Sequence, residues 1–278
     1  YAYGPTNPKT YAGGGGGATF GGTDGGAGGS GGGGAGSPGP YDATSAAAEN
    51  GVAGTGGGGG GNNGYNGNFL AGGMGGSGTV VVRYRITASD FASSTAKASG
   101  GAVSFYGGKT IHTFTGSGTF TAPGSFSETV EYFVVGGGGA GGGKNFRGGG
   151  GGAGAILHNS VPIDNTGPGN PTVSNIIIGG GGSYSYIPGT DGQGASTTIA
   201  APFSLTAPGG GQGGGYEPNP YTPGQPGGSG GGAGGYPGSY TGGASTGDPF
   251  PGNPDHNSPA NGWGHAGGDS HADTVQQG

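Results

Sequence analysis

Thr119-Phe-Thr-Ala-Pro-Gly-Ser-Phe-Ser-Glu-Thr-Val-Glu-Tyr-Phe-Val-Val135 runs without a break into Gly136–Gly139, Ala140, Gly141–Gly143, Lys-Asn-Phe-Arg147 and Gly148–Gly152. The first half of this junction reads as strand, because Val130 to Val135 is a β-branched and aromatic run that fits a pleated, half-buried surface. The second half fits neither strand nor helix: glycine has no side chain to bury and the most backbone freedom to lose. Polyglycine in this position needs partners for its amides from outside its own segment, and the rest of the sequence must supply them.

The chain has 278 residues, of which 86 are Gly and 20 Pro, with 7% charged and 28% hydrophobic residues. An ordinary globular domain is about half apolar and about a quarter charged. By composition alone the chain would be disordered, since little apolar area opposes a backbone entropy of roughly 1–2 kcal/mol per residue. Collagen is excluded, because glycine does not hold a strict triplet and longer glycine runs interrupt it. The net charge is −6 and the seven Lys plus Arg are scattered singly, which leaves no basic stripe for nucleic acid. No apolar run approaches the roughly 18 residues of a transmembrane helix, and no signal peptide opens the chain. Cysteine is absent, so neither disulfides nor thiolate sites hold the fold.

Between the glycines, other residues recur three apart: Asp24, Ala27 and Ser30; Ala71, Met74 and Ser77; Pro226 and Ser229; Ala233, Tyr236 and Ser239. A period of three is neither 3.6 nor 2. It matches an extended threefold helix of the polyproline II type, rising about 3.1 Å per residue. Such a helix makes no internal hydrogen bonds, so packed rods must pair with one another, and glycine lets their backbones approach closely enough. The segments joining the glycine runs, among them Pro38-Gly-Pro-Tyr41, Glu217–Pro223 and Asp248–Asp255, are rich in turn formers that reverse the chain at the ends of a rod bundle.

Thr79–Ile86 alternates, with Val80, Val82, Tyr84 and Ile86 on one face and Arg83 and Arg85 on a wet one. Further strands are predicted over Ala102–Tyr106, Thr110–Thr115, Gly118–Ala122, Thr129–Val135, Ala155–His158, Thr172–Ile178 and Thr197–Leu205, with one helical turn within Ala88–Ala96. The predicted fold is therefore all-β plus polyglycine II: short antiparallel strands, sandwich-like, combined with bundles of threefold rods and almost no α-helix. Residues 1–86 read as the back half of a first glycine-rich unit ending in a strand, and 87–100 as a linker. Residues 101–208 read as the strand-rich part of a second unit, and 209–278 as a Gly/Pro/Tyr-rich polyglycine region. On that division the second unit lacks a closing strand. The expectation is that the native polypeptide extends beyond these residues, or that another copy supplies the strand.

Phe120-Thr-Ala-Pro-Gly124, Val130–Val135 with the glycines after it, Ile176-Ile-Ile-Gly-Gly-Gly-Gly182 and Gly78-Thr-Val-Val-Val-Arg-Tyr84 resemble the glycine-rich domain of phage tail-fibre and virion-associated proteins. The glycine rods resemble the adhesin tip of T-even-type phages, in which layered polyglycine helices carry receptor-binding loops. Similar domains occur in uncharacterised bacterial surface proteins. The resemblance implies a structural role outside the cell or on a virion surface.

Signals for chemistry are weak. Lys144 follows a glycine run but is succeeded by Asn145, so no phosphate-binding loop is formed. His265 and His271, with Asp255, His256 and Asp269, make an oxygen-and-nitrogen set of the kind that holds divalent cations. Their spacing matches no known ligand pattern, and small polar residues are equally the composition of a solvated loop. No nucleophile–base arrangement is visible, so an enzyme is not expected, nor a cofactor. Tyrosines in Pro/Gly/Asn loops are better binding candidates, since Tyr offers rigid amphipathic area at low entropic cost. The receptor-contact candidates are Tyr41, Tyr216, Tyr221, Tyr236, Tyr240 and Trp263, although such rings also serve to pack between rods. The leading expectation is a phage tail-fibre or adhesin segment that presents loops to a cell-surface receptor. The alternative is a self-assembling extracellular filament or surface-layer protein whose partners are other copies of itself. Ice binding by flat arrays of short side chains is a remote third.

Overall fold

A computed structural model describes residues 10–19, 24–39, 47–64, 71–143, 147–166, 171–184, 191–215, 223–235, 239–249, 257–260 and 262–270. The strands and the one short helix among them are β1 (Thr79–Arg85), α1 (Ala88–Ser93), β2 (Ala102–Tyr106), β3 (Lys109–Phe114), β4 (Gly118–Ala122), β5 (Ser127–Val135), β6 (Ile156–Asp164), β7 (Thr172–Ile177), β8 (Thr197–Ile199) and β9 (Leu205–Ala207). They form a five-stranded sheet in the order β2-β3-β1-β5-β6 and a four-stranded sheet in the order β4-β7-β8-β9. Every pairing within these sheets is antiparallel. The described residues are thus mainly antiparallel sheet and glycine segments, with almost no helix.

One apolar cluster joins the two sheets. Val80, Val82 and Tyr84 of β1 and Val130 and Val134 of β5 meet Phe120 of β4, Ile176 of β7 and Ile199 of β8. Strand alternation produces this face directly. Phe120 lies within it edge-on to His112, Phe126 and Phe203. The opposite face of β1 is drier than its two arginines imply. Val81 packs with Phe133, Val135, Tyr11 and Ile111 in a second cluster. Arg83 is held by Glu131, which also accepts from Lys109 at 2.7 and 3.0 Å.

The strand boundaries depart from expectation where polar residues take part in pairing. β6 continues to Asp164 because Asn159–Asp164 faces Ser127–Tyr132 of β5 residue for residue. The predicted strand Thr197–Leu205 is two strands, β8 and β9, joined by a turn around Pro202, which has no amide for a ladder. The helical turn within Ala88–Ala96 is α1. Thr87 Oγ1 accepts from Asp90 N at 3.1 Å at its start, and Ser94 closes its end in the left-handed region at φ 52°. β1 lies between β3 and β5, so strand pairing joins residues on either side of the segment 87–100.

The glycine segments continue from the ends of these strands and pair through their backbones. Gly58 and Gly61 donate to Gly13 and Gly16, whereas Gly59 and Asn62 donate to Gly139 and Gly142. Partners therefore recur every three residues, and the partner itself advances by three. The segment Gly136–Gly143 sits among several neighbours. Its amides donate to Ala195 and Gly192, to Gly76 and Gly73, and to Gly152 and Gly149, all at 2.8–2.9 Å. Its carbonyls accept from Gly59 and Asn62, from Gly210 and Gly213, and from Gly182. Close approach is what demands glycine here: a Cβ at Gly138 would collide with the Gly57 carbonyl, and one at Gly141 with the Gly60 carbonyl.

Some side chains in the glycine segments lie outside the array, while others, such as Ser37, Ala140, Ala153 and Gln212, are buried within it. Asp24, Ala27 and Ser30 are all exposed, as are Ala71 and Met74, while Gly72 and Gly73 between the latter two are buried. In these two stretches the spacing of three is that of exposed side chains, whereas Ser77, Ser229 and Ala233, which share the spacing, are half-buried.

Candidate functional site

The direction of each glycine segment places its two ends. Gly136, Gly78, Gly179 and Pro208 lie next to strands, whereas Gly143, Gly64, Tyr184 and Gly215 lie at the far ends of segments 136–143, 57–64, 178–184 and 208–215. Hydrogen bonds at that far end tie the array together. Asn62 Nδ2 donates to Ala71 O and Asn63 Nδ2 to Thr19 O, each at 2.8 Å. Ser183 N reaches Asp191 O at 2.8 Å, and Gly235 N reaches Arg147 O at 3.0 Å. Tyr240 and Ser270 exchange backbone bonds at 3.2 and 2.9 Å, and Ser270 Oγ donates to Gly234 O at 2.9 Å.

These residues flank the turn-forming segments of the sequence. Thr19 and Asp24, Gly39 and Ala47, Gly64 and Ala71, Gly143 and Arg147, Tyr184 and Asp191, Gly215 and Pro223, and Gly235 and Ser239 all sit toward the end of the array remote from the sheets. Asp24, Asp191 and Asp269 are exposed at this end, and Arg147 is half-buried there.

Of the receptor-contact candidates, Tyr41, Tyr216, Tyr221 and Tyr236 lie outside the described residues. Tyr240 is half-buried at the remote end. Trp263 is only 6% exposed, and its backbone bridges Ile156 and Asp248 beside the five-stranded sheet. Its ring therefore belongs to the interior and offers no face to a receptor. Of the cation candidates, Asp255, His256 and His271 lie outside the described residues. His265 and Asp269 are exposed, and Asp269 Oδ1 accepts from Gly242 N at 2.8 Å. Ser258, close in sequence to His256, pairs with His158 in β6, at the end of the molecule opposite Asp269. Among the described residues no group of three or more His, Cys, Asp or Glu is placed to hold a metal ion, and no helix is long and apolar enough to cross a membrane.

Residues without a signal of their own in the periodicity matter more to this array. Asn62, Asn63 and Gln212 are buried polar residues inside glycine runs. A primary amide carries the same donor and acceptor types as a peptide group, so the Asn62 and Asn63 side chains extend the backbone pairing where a segment stops. Gln212 fills the space beside Gly192, where a Cβ would strike its amide carbon. The trace they leave in the sequence is Gly61-Asn-Asn-Gly64 and Gly211-Gln-Gly213: amide side chains enclosed by glycine.

A second polar centre sits in the core. His112 is fully buried. Its Nδ1 lies 2.7 Å from Gly100 O and its Nε2 3.3 Å from the Tyr84 hydroxyl, which itself accepts from Ala98 N at 2.9 Å. The carbonyl requires the proton on Nδ1, so Nε2 accepts from Tyr84. Burial pushes the ring below the ordinary histidine value, against the opposite pull of the Gly100 carbonyl. This chain of bonds fastens Ala98–Gly100 to the sheet, which is a structural role.

A family model described as a glycine-rich domain matches residues 112–278, more than half of the chain. No curated protein and no solved structure matches it.

Proposed function

The chain belongs to the glycine-rich domain family, and we propose, as a reading that goes beyond that membership, that it is a structural fibre or adhesin segment of a phage virion, presenting loops for attachment to a host surface. The glycine segments act in this reading as polyglycine II rods, a stiff bundle knitted by peptide-to-peptide bonds. Support comes from the threefold recurrence of hydrogen-bond partners and from the exposed side chains three apart at Asp24, Ala27 and Ser30 and at Ala71 and Met74. The observation that carries the functional reading is the shared remote end, where the described flanks of segments 40–46, 65–70, 185–190, 216–222 and 236–238 gather away from the sheets, whereas the flanks of 1–9 and 250–256 lie beside the sheets.

The role is mechanical and recognitive rather than enzymatic. In this reading the array brings the described ends of these segments together, and the low-entropy aromatic residues in their sequences supply contact area. Its partner is a receptor on a cell surface, and its place is extracellular or on the virion.

Replacing segments 40–46, 216–222 and 236–238 in turn with Gly/Ser sequences of equal length tests this. Binding of the labelled protein to host cells should fall at least about tenfold for one or more replacements, with thermal unfolding unchanged. Full binding by all three variants would remove the adhesin reading. Negative-stain images of the native source separate the alternative, which requires free, indefinitely long filaments instead of fibres on tailed particles.

A further inference from the structure

Sheet edges carry unpaired amides and carbonyls, and proteins shorten, cap or charge them to prevent pairing with other chains. Three of the four edges here are treated in that way. At the β6 edge, Ile156 is bridged by Trp263, His158 exchanges bonds with Ser258, and Pro162 has no amide to offer. The β4 edge is bridged at Thr121 by Ser99, whose amide and carbonyl both pair at 2.9 Å. β9 is only three residues long.

The β2 edge has none of these protections. Ala102-Val-Ser-Phe-Tyr106 has no charge, no proline and no bulge, and among the described residues nothing bridges its outer side. Val103 and Tyr106 are 42% and 48% exposed. Gly107 and Gly108, at φ 58° and 71°, make a two-residue turn to β3. In that hairpin the residues next to the turn form a hydrogen-bonded pair, so alternation aims the amides and carbonyls of Val103 and Phe105 at the open side.

We propose that β2 is a self-association edge, taking β2 of a second copy in antiparallel register about a twofold axis through Ser104. Val103 then bonds Phe105 of the partner subunit, and Phe105 bonds Val103 of the partner subunit. The strand stops at Ala102 and Tyr106, and the residues that follow at each end are glycines of positive φ (Gly101 and Gly100, Gly107 and Gly108), so no charged or bulky side chain adjoins either end of the edge. Uncharged residues face one another throughout, which is what a self-complementary edge needs. The two five-stranded sheets become one continuous sheet, and the protected outer edges end growth at two copies. This pairing does not depend on the receptor reading, and the loop replacements leave it untouched.

Sedimentation of the full chain across micromolar concentrations should give twice the monomer mass. Phe105→Pro removes an outward amide without touching the bonds to β3 and should return the monomer, as should Val103→Lys. The chain lacks cysteine, so Ser104→Cys gives a single reporter. A central antiparallel pair of this kind has Cα atoms about 4.5 Å apart, within disulfide range. Mild oxidation should crosslink Ser104→Cys at least about tenfold faster than Thr119→Cys on the other sheet. A monomer at all concentrations, a dimer that survives both edge variants, or equal crosslinking of the two cysteine variants would overturn the proposal.

Discussion

Protonating His112 would break the bond its Nε2 accepts from Tyr84 and place a charge in a fully buried site. Burial lowers its proton affinity, and the Gly100 carbonyl only partly restores it. Above the ordinary histidine value of about 6.5 the ring is neutral in both folded and unfolded chains, and its contribution to stability is complete. As pH falls below that value the unfolded chain takes up a proton that the folded chain refuses. Stability should then drop by up to about 1.4 kcal/mol per pH unit until the folded-state value is reached. Denaturant titrations at about pH 7.5 and about pH 5, on either side of the unfolded value, should show this loss. His112→Gln should reduce it; an unchanged slope would assign the effect elsewhere. The glycines differ as sharply from one another. Gly138→Ala drives a methyl into the Gly57 carbonyl, whereas Gly180 has nothing within 4 Å of a Cβ. Overpacking predicts a loss of about 1–3 kcal/mol or more for the first and a change within about 1 kcal/mol for the second, both readable from denaturant midpoints. At this scale the sequence was legible where periodicity spoke, as in the exposed Asp24, Ala27 and Ser30. It was silent on His112, because nothing local tells a core histidine from a surface one.

Strands and glycine segments follow different rules of pairing. A strand exchanges bonds with two neighbours in one plane, whereas successive amides of Gly136–Gly143 turn to different neighbours in sequence. An amide so enclosed exchanges only when the array opens. Hydrogen exchange at Gly139 and Gly141 should therefore be as slow as at Val134 in β5, despite the absence of side chains. Gly14 and Gly17 are the control: they are exposed, and neither amide donates within the described residues. Their amides should exchange near the rate of an unstructured peptide, and fast exchange at Gly139 would show that the pairing does not hold in solution. Strand positions were largely readable, since Ala102–Tyr106 and Gly118–Ala122 are β2 and β4 as predicted. The second half of β6 was not, because Asn159-Ser-Val-Pro-Ile-Asp164 carries too little apolar alternation and is strand only through β5.

At the scale of the whole molecule, two means of cohesion meet at the strand–glycine junction. The two sheets are held by an apolar cluster that ordinary alternation predicts. What sequence order hid was the placement of β1 between β3 and β5, because pairing across the segment 87–100 leaves no local trace. The glycine array is held otherwise. It buries peptide groups, and exposing polar surface on unfolding lowers heat capacity by about 0.26 cal/mol/K per Å², while exposing apolar surface raises it by about 0.45. Ordinary domains, rich in buried apolar area, gain about 12–15 cal/mol/K per residue on unfolding. With only 28% hydrophobic residues, and with the array burying mainly backbone, this chain should gain well under about 12 cal/mol/K per residue by calorimetry. Its stability should accordingly fall less on cooling below room temperature than that of a conventional core, since the heat-capacity term curves the stability profile. A value in the ordinary range would mean that apolar burial, not amide pairing, carries the array, and that the stiffness assigned to the rods has the wrong source.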